Sequence, residues 1–393
     1  MTAIPETFSF AAYLECARCK TAYAVTDINT WANCCNQPLL VKYDHPAGFY
    51  KEDLIFREKN MWRYFEVLPV MERKNIVSLG EGMTPLLTLE KSAARHGFAD
   101  LLLKDESFNP TGSFKARGIS AAVSKAKELG IKKCIVPTAG NAGGALAAYC
   151  AKAGIACTVV MPRHTPGVFK QECELYGAEL VLVDGLISDC AKKVAALNQT
   201  GTYYDVSTLK EPYRLEGKKT MGYEIAEQLN WQLPDVIIYP AGGGTGLIGI
   251  WKAFKEMIEM GWIEGHHLPK MMAVQSQQCA PVVRVFYNAD SWRDGFVPQP
   301  SLANGLAVPY PFGMDMMQEV LQESNGMAYA VSEEEILAGV KEFAREEGIL
   351  LAPEGAAVWK ALLHLRRMKV VDSADKIVLL NTGSGYKYLE NIV

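Results

Sequence analysis

The 393-residue chain has no run approaching the roughly 18 consecutive apolar residues of a membrane-spanning helix. Its start, MTAIPETFSFAAYLEC, lacks the basic opening and long apolar core of an export signal. It has no low-complexity linker and no internal repeat, and a net charge of −4 gives it no broad basic field. Membrane and nucleic acid are therefore not expected as main partners. Ten cysteines in this length are too dilute for a small disulfide scaffold, so a reducing, cytoplasmic compartment is expected. These absences point to a soluble enzyme acting on a small molecule. A hydrophobic fraction of 49% is ample for more than one core.

From about residue 76 onward, short β-branched or leucine-rich runs alternate with alanine-rich stretches, the pattern of an α/β protein with mainly parallel strands. The pattern predicts strands at 101–104, 134–137, 157–161, 179–183, 236–239, 271–275 and 377–380. It predicts helices at 117–129, 144–152, 166–176, 186–197, 218–228, 247–259 and 333–346. Residues 1–75 are irregular and aromatic, and hold Cys16, Cys19, Cys34 and Cys35.

The segment Asn109-Pro110-Thr111-Gly112-Ser113-Phe114-Lys115 puts a lysine between turn residues and a helical pattern. At a helix start, beside an aromatic side chain, an ammonium is disfavoured and the neutral, nucleophilic amine is favoured. Taken alone, Lys115 is equally compatible with a solvated surface lysine.

Three glycine-rich strand-to-helix junctions decide between these readings. In Thr138-Ala139-Gly140-Asn141-Ala142-Gly143-Gly144 small residues admit a flat ligand, and Asn141 offers an amide. Tight packing of a helix on a sheet explains the same residues. In Ala241-Gly242-Gly243-Gly244-Thr245-Gly246 successive amides and a helix N-terminus make an anion cradle, with a hydroxyl from Thr245. That span also contains the spacing Gly244-x-Gly246-x-x-Gly249, a dinucleotide fingerprint. The next predicted strand, however, ends in Gln275-Ser276-Gln277, without the ribose-binding carboxylate expected about 20 residues on. The third junction, Asn381-Thr382-Gly383-Ser384-Gly385, places two hydroxyls at the end of a buried strand, where ligands of open α/β sheets collect.

A nucleophilic lysine, an asparagine loop, a phosphate cradle and a terminal hydroxyl together match the needs of pyridoxal phosphate. The chain resembles the fold-type II pyridoxal-phosphate enzymes, and among them the threonine synthases. The landmarks are SLGEGMTPL at 78–86, LLLKDESFNPTGSFKARG at 101–118, TAGNAGGALAAYCAKAG at 138–154, PAGGGTGLIG at 240–249, APEGAA at 352–357 and NTGSGYKY at 381–388.

The resemblance implies that Lys115 is the catalytic residue that binds the cofactor covalently, with Phe114 beside its ring and Asn141 on its phenolic oxygen. It implies that Gly242, Gly243, Gly244, Thr245 and Gly246 hold the phosphate and that Thr382 faces the pyridine nitrogen. A neutral hydroxyl there leaves the pyridine largely unprotonated and favours elimination and replacement over transamination. The implied fold is a pair of unequal three-layer α/β domains with mainly parallel sheets, tryptophan synthase β-like, in a homodimer. The larger domain would combine 76–118 with 214–393, and the smaller, mobile one would span 119–213. A ribbon-like extension would occupy 1–75.

The implied activity is conversion of O-phosphohomoserine and water to threonine and phosphate by γ-elimination and β-addition. A threonine- or serine-type ammonia-lyase and a β-replacement synthase stay open. Arg117, Arg163, Lys170, Arg214 and Lys387 are candidates for a substrate phosphate, and Ser113 and Glu354 for support of the site. The N-terminal cysteines resemble the ribbon head of archaeal and plant threonine synthases. Cys16-x-x-Cys19 has half-ribbon spacing, whereas Cys34 and Cys35 are adjacent, and neighbouring cysteines reach one tetrahedral ion with difficulty. The expectation is a ribbon-like fold with no metal assigned.

Overall fold

The computed structural model describes residues 8–45, 49–265, 267–288 and 290–392. It divides into two compact units, one made of residues 8–83, Lys115–Met221 and Lys255–Trp262, the other of Thr84–Phe114, Gly222–Phe254 and residues 263–392. Among the described residues no helix is long and apolar enough to cross a membrane.

The second unit is built on a six-stranded sheet. Its strands lie in the order Met327–Val331, Lys270–Ser276, Val236–Pro240, Lys376–Asn381, Asp100–Asp105 and Leu86–Thr88, all parallel except the last. The central strand VIIYP is buried at every position, because helical crossovers cover both faces of a parallel sheet. One polar group inside this unit is fully compensated: Lys104 Nζ donates to Glu224 Oε2 at 2.8 Å, Thr84 O at 2.8 Å and Gln228 Oε1 at 2.9 Å. The strands Val236–Pro240, Lys376–Asn381 and Asp100–Asp105 are neighbours running the same way. The loops that follow them therefore gather at one edge of the sheet.

The first unit holds a four-stranded parallel sheet in the order Glu179–Val183, Ala156–Pro162, Lys133–Pro137 and Tyr204–Asp205. Ile135, Val160, Cys190 and Val194 form a core between this sheet and the helix Ile187–Leu197. The helices Lys115–Glu128 and Asn141–Ala153 pack on each other. A second cluster, Met61, Trp62, Phe65, Leu68 and Val70, seats the segment after the ribbon on Ala121 of the Lys115 helix. Each large apolar side chain buried there contributes about 1.5–3 kcal/mol.

The N-terminal residues form a small antiparallel ribbon in which Ala11–Cys16 pairs with both Ala22–Ala24 and Leu39–Tyr43. Alternation along the strand turns Leu14 and Cys16 inward, and a register shift between Ala11 and Tyr13 brings Ala11 to the same buried side. At the ribbon's end, the Tyr43 hydroxyl donates to Glu216 Oε2 at 2.8 Å, and Lys219 Nζ lies 3.8 Å from the Tyr43 ring centroid. Lys219 is fully buried and also pairs with Glu216 at 2.7 Å and Glu256 at 2.9 Å. The cysteines come closer than their adjacency in sequence suggests. The Sγ atoms of Cys16, Cys19, Cys34 and Cys35 all lie within 4.8 Å of one another.

Candidate functional site

Three of the sequence-derived loops meet at the sheet edge of the second unit. Thr111 (φ 58°) and Gly112 (φ 61°) turn the chain through left-handed backbone, a conformation disfavoured for threonine. Lys387 Nζ holds the Thr111 carbonyl at 2.7 Å, so this candidate for a substrate phosphate supports the turn. The chain then runs antiparallel to the last loop. Ser384 N donates to Gly112 O at 2.9 Å, Ser113 bridges Gly383, and Phe114 N donates to Thr382 O at 3.1 Å. Phe114 and Thr382, far apart in sequence, are thus fixed side by side, and both are nearly fully buried.

Gly242–Gly246 follows the neighbouring strand and leads into the 15-residue helix Thr245–Glu259. A Cβ on Gly242 would run into the Gly305 carbonyl, one on Gly244 (φ 80°) into Met317, and one on Gly246 into the Tyr239 ring. The loop is therefore buried and closely packed, and a side chain at any of these three positions would force it apart. The Tyr239 ring, packed under this loop, stands edge-on to Phe114 at 6.3 Å. Glu354 braces the cradle from behind: its Oε1 accepts from Gly305 N at 2.8 Å and from the Tyr388 hydroxyl at 3.1 Å. Glycine backbone without side chains, a long helix starting at Thr245 and the Thr382 hydroxyl fit a planar phosphorylated cofactor.

The first unit carries Lys115 and Asn141, the opening residues of their two packed helices. Of the two readings open for Gly143 and Gly144, room for a ligand or tight packing, their neighbours favour packing. A Cβ on Gly143 would meet Met161 and Cys173, and one on Gly144 would meet the Glu172 carboxylate. Sequence reasoning gave no role to Glu81, which ties these helices together. Its Oε1 accepts from Trp62 Nε1 at 2.9 Å and Ser120 Oγ at 2.5 Å, and its Oε2 from the Tyr149 hydroxyl at 2.6 Å and Leu79 N at 2.8 Å. The available signal was a carboxylate between two glycines, Gly80 and Gly82, both with positive φ.

Lys218 was also missed. It begins one turn into the helix Tyr213–Gln228, which crosses the Lys115 helix at glycines: a Cβ on Gly217 would meet the Arg117 carbonyl, and one on Gly118 the Arg214 carbonyl and Lys218 Cε. Burial, then the charges of Arg214 and Lys115, drive the Lys218 ammonium well below its ordinary value, against the favourable charge of Glu211. Among the other candidate cations, Arg117 Nη1 donates to Thr220 Oγ1 at 2.9 Å and Arg214 Nη1 to Val206 O at 2.6 Å, both buried. Arg163 pairs with Asp184 on the surface, and Lys170 donates to the Arg163 carbonyl.

Burial pushes the Glu211 carboxyl up to about 7, against the lowering effects of Arg214 and of the Tyr213 and Arg214 amides that it accepts. A raised carboxyl favours the folded state when protonated. Its contribution is full below the unfolded value near 4.5 and is lost as pH rises through 7. The thermal unfolding midpoint is therefore expected to fall between about pH 5 and 8, by an amount equivalent to at most about 3 kcal/mol. Glu211→Gln should flatten that slope in a pH series of melting curves, and an unchanged slope would remove Glu211 as its source.

A family model described as "Pyridoxal-phosphate dependent enzyme" matches residues 77–383. The chain is 35% identical to the threonine synthase of Methanocaldococcus jannaschii over 95% of its own length and 92% of that protein's. It is 32% identical to the threonine synthase of Methanosarcina acetivorans, with coverage of 97% and 93%. The crystal structure of serine racemase from Dictyostelium discoideum superposes with a TM-score of 0.63 at 23% identity, covering 77% of this chain and 92% of that one. That likeness is one of fold.

Proposed function

The chain belongs to the pyridoxal-phosphate-dependent enzyme family, and on that premise we propose that it acts as a threonine synthase, taking O-phosphohomoserine and water to threonine and phosphate. When bound, pyridoxal phosphate supplies an electron sink for the carbons of an amino-acid substrate. Lys115 would hold the group covalently, flanked by Phe114, with Asn141 on its phenolic oxygen, Gly242, Gly243, Gly244, Thr245 and Gly246 around its phosphate and Thr382 at its ring nitrogen.

With its amine free, Lys115 would be the mobile base and acid that takes a proton from one substrate carbon and returns it at another. Phosphate leaves from the γ-carbon as the substrate's C–O bond breaks, and water adds at the β-carbon. The Thr382 hydroxyl, being neutral, keeps this chemistry on elimination and replacement.

The observation that carries the reading is the cation pair Arg214 and Lys218 at the foot of the helix that Lys115 opens. Cations buried close together disfavour one another's charge, and a doubly charged phosphate arriving among them restores it. The similarity to proteins named threonine synthase over nearly the whole length supports the same substrate.

The test is a pair of assays on the purified holoenzyme. Inorganic phosphate released from O-phosphohomoserine, matched by threonine formed, is the expected result. Formation of 2-oxobutyrate from threonine without phosphate release from O-phosphohomoserine would assign the chain to ammonia-lyase chemistry instead.

A further inference from the structure

The N-terminal ribbon holds a side-chain cluster that the chemistry above does not use. Its first turn leaves the strand Ala11–Cys16 and is closed by a hydrogen bond from Cys16 N to Thr21 O at 2.9 Å. Lys20, directly after Cys19, takes a left-handed φ of 64°. The second turn is closed by Ala32 N donating to Gln37 O at 2.8 Å, and Asn36, directly after Cys35, has a φ of 49°. Both turns span six residues and reverse at the residue after a cysteine. They are two copies of one device.

In that correspondence Cys35 matches Cys19, and the buried Ala32 stands where the first turn has Cys16. The fourth sulfur comes from Cys34. The adjacency that argued against a shared centre is thus a displaced ligand position, moved from the beginning of the turn to the residue before its last cysteine.

We propose that Cys16, Cys19, Cys34 and Cys35 bind a zinc ion that staples the ribbon. Their four sulfurs lie within 4.8 Å of one another, with Cys19 and Cys34 at 3.3 Å. Zinc–sulfur bonds of about 2.3 Å set sulfur-to-sulfur separations of about 3.8 Å in a tetrahedron, so sub-ångström side-chain adjustments complete the site. The Tyr23 hydroxyl donates to Cys34 Sγ at 3.2 Å, and Thr21 Oγ1 lies 3.1 Å from Cys19 Sγ. Such outer hydrogen bonds orient metal-bound sulfur. Four soft thiolates in a closed set favour zinc over magnesium, calcium and manganese and leave no position for substrate, so the role is structural.

The ribbon is a small three-stranded sheet with few inward side chains of its own, the setting in which small folds need a staple. Its last strand ends at Tyr43, which holds Glu216 and Lys219 of the helix Tyr213–Gln228. Zinc at the cysteines therefore firms the anchor of the helix that carries Arg214 and Lys218.

Elemental analysis of the full-length chain, purified without chelator and without a metal-binding tag, tests this. About one zinc per chain is expected, falling below about a tenth in Cys34→Ser and in Cys35→Ser. Cys157→Ser, altered outside the cluster, should keep its zinc. An organomercurial titration of the unaltered protein should release zinc as the cysteines react, a readout independent of whether the variants fold. Sub-stoichiometric zinc in the unaltered protein would overturn the proposal, whether its thiols are free, joined as a Cys19–Cys34 disulfide or bound to iron. So would zinc that survives both cysteine substitutions.

Discussion

Lys115→Ala is expected to lower the rate of phosphate release from O-phosphohomoserine by about a thousandfold or more, leaving a folded protein that still binds pyridoxal phosphate non-covalently. The size of the effect follows from the two duties proposed for one amine, covalent attachment and proton transfer. Retention of the cofactor follows from the independence of the phosphate cradle, whose glycines are set by Gly305, Met317 and Tyr239 rather than by the lysine. Borohydride should fix the cofactor to the unaltered chain and not to the variant, as read by intact mass. A variant that keeps more than about a tenth of its activity would remove Lys115 from the chemistry, because general acid–base catalysis alone supplies a larger factor.

What the sequence could express of this site was its local part. Asn109-Pro110-Thr111-Gly112 reads as a turn because Asn109, Pro110 and Gly112 each favour one, and the turn found uses left-handed backbone at Thr111 and Gly112. The run Gly242–Gly246 reads as an anion cradle for similar reasons. The antiparallel ladder that sets Phe114 against Thr382 was not legible, because a pairing across most of the chain leaves no periodic trace in either segment. The helix Pro353–Arg367 escaped for the opposite reason. Its opening Pro353-Glu354-Gly355 looks like a turn, yet proline is pre-set for the first helical position.

The charged groups beneath Lys115 show a further limit of sequence patterns. Arg214 and Lys218 sit on a helix whose polar residues in sequence suggest a solvated face, and Lys218, Lys219 and Glu216 are all buried. Their burial depends on the close approach at Gly118 and Gly217, where neighbouring backbone leaves no room for a Cβ. There burial, then the charges of Arg214 and Lys115, disfavour the Lys218 ammonium, an effect of place that residue type alone does not reveal.

Glu81→Ala should destabilise the protein by about 3–5 kcal/mol and lower kcat even in the molecules that remain folded. The carboxylate takes four hydrogen bonds, and every donor lies in a different segment: Trp62 after the ribbon, Leu79 just before, Ser120 on the Lys115 helix and Tyr149 on the Asn141 helix. Burial, followed by the Glu81 charge, raises the Tyr149 hydroxyl far above its ordinary value and keeps it a proton donor. Truncation leaves these groups facing a cavity with no acceptor. Glutamine replaces one acceptor oxygen with a donor, so Glu81→Gln should fall between the two in unfolding midpoint while disturbing the helix pair similarly. Because the helices joined at Glu81 begin with Lys115 and Asn141, loosening the joint should reduce kcat more than it raises KM. Denaturant unfolding and steady-state kinetics on the same samples separate the two effects. An unfolding midpoint for Glu81→Ala equal to that of the unaltered chain would show that the four hydrogen bonds are replaced by solvent at no cost and that the helices are aligned by apolar packing alone.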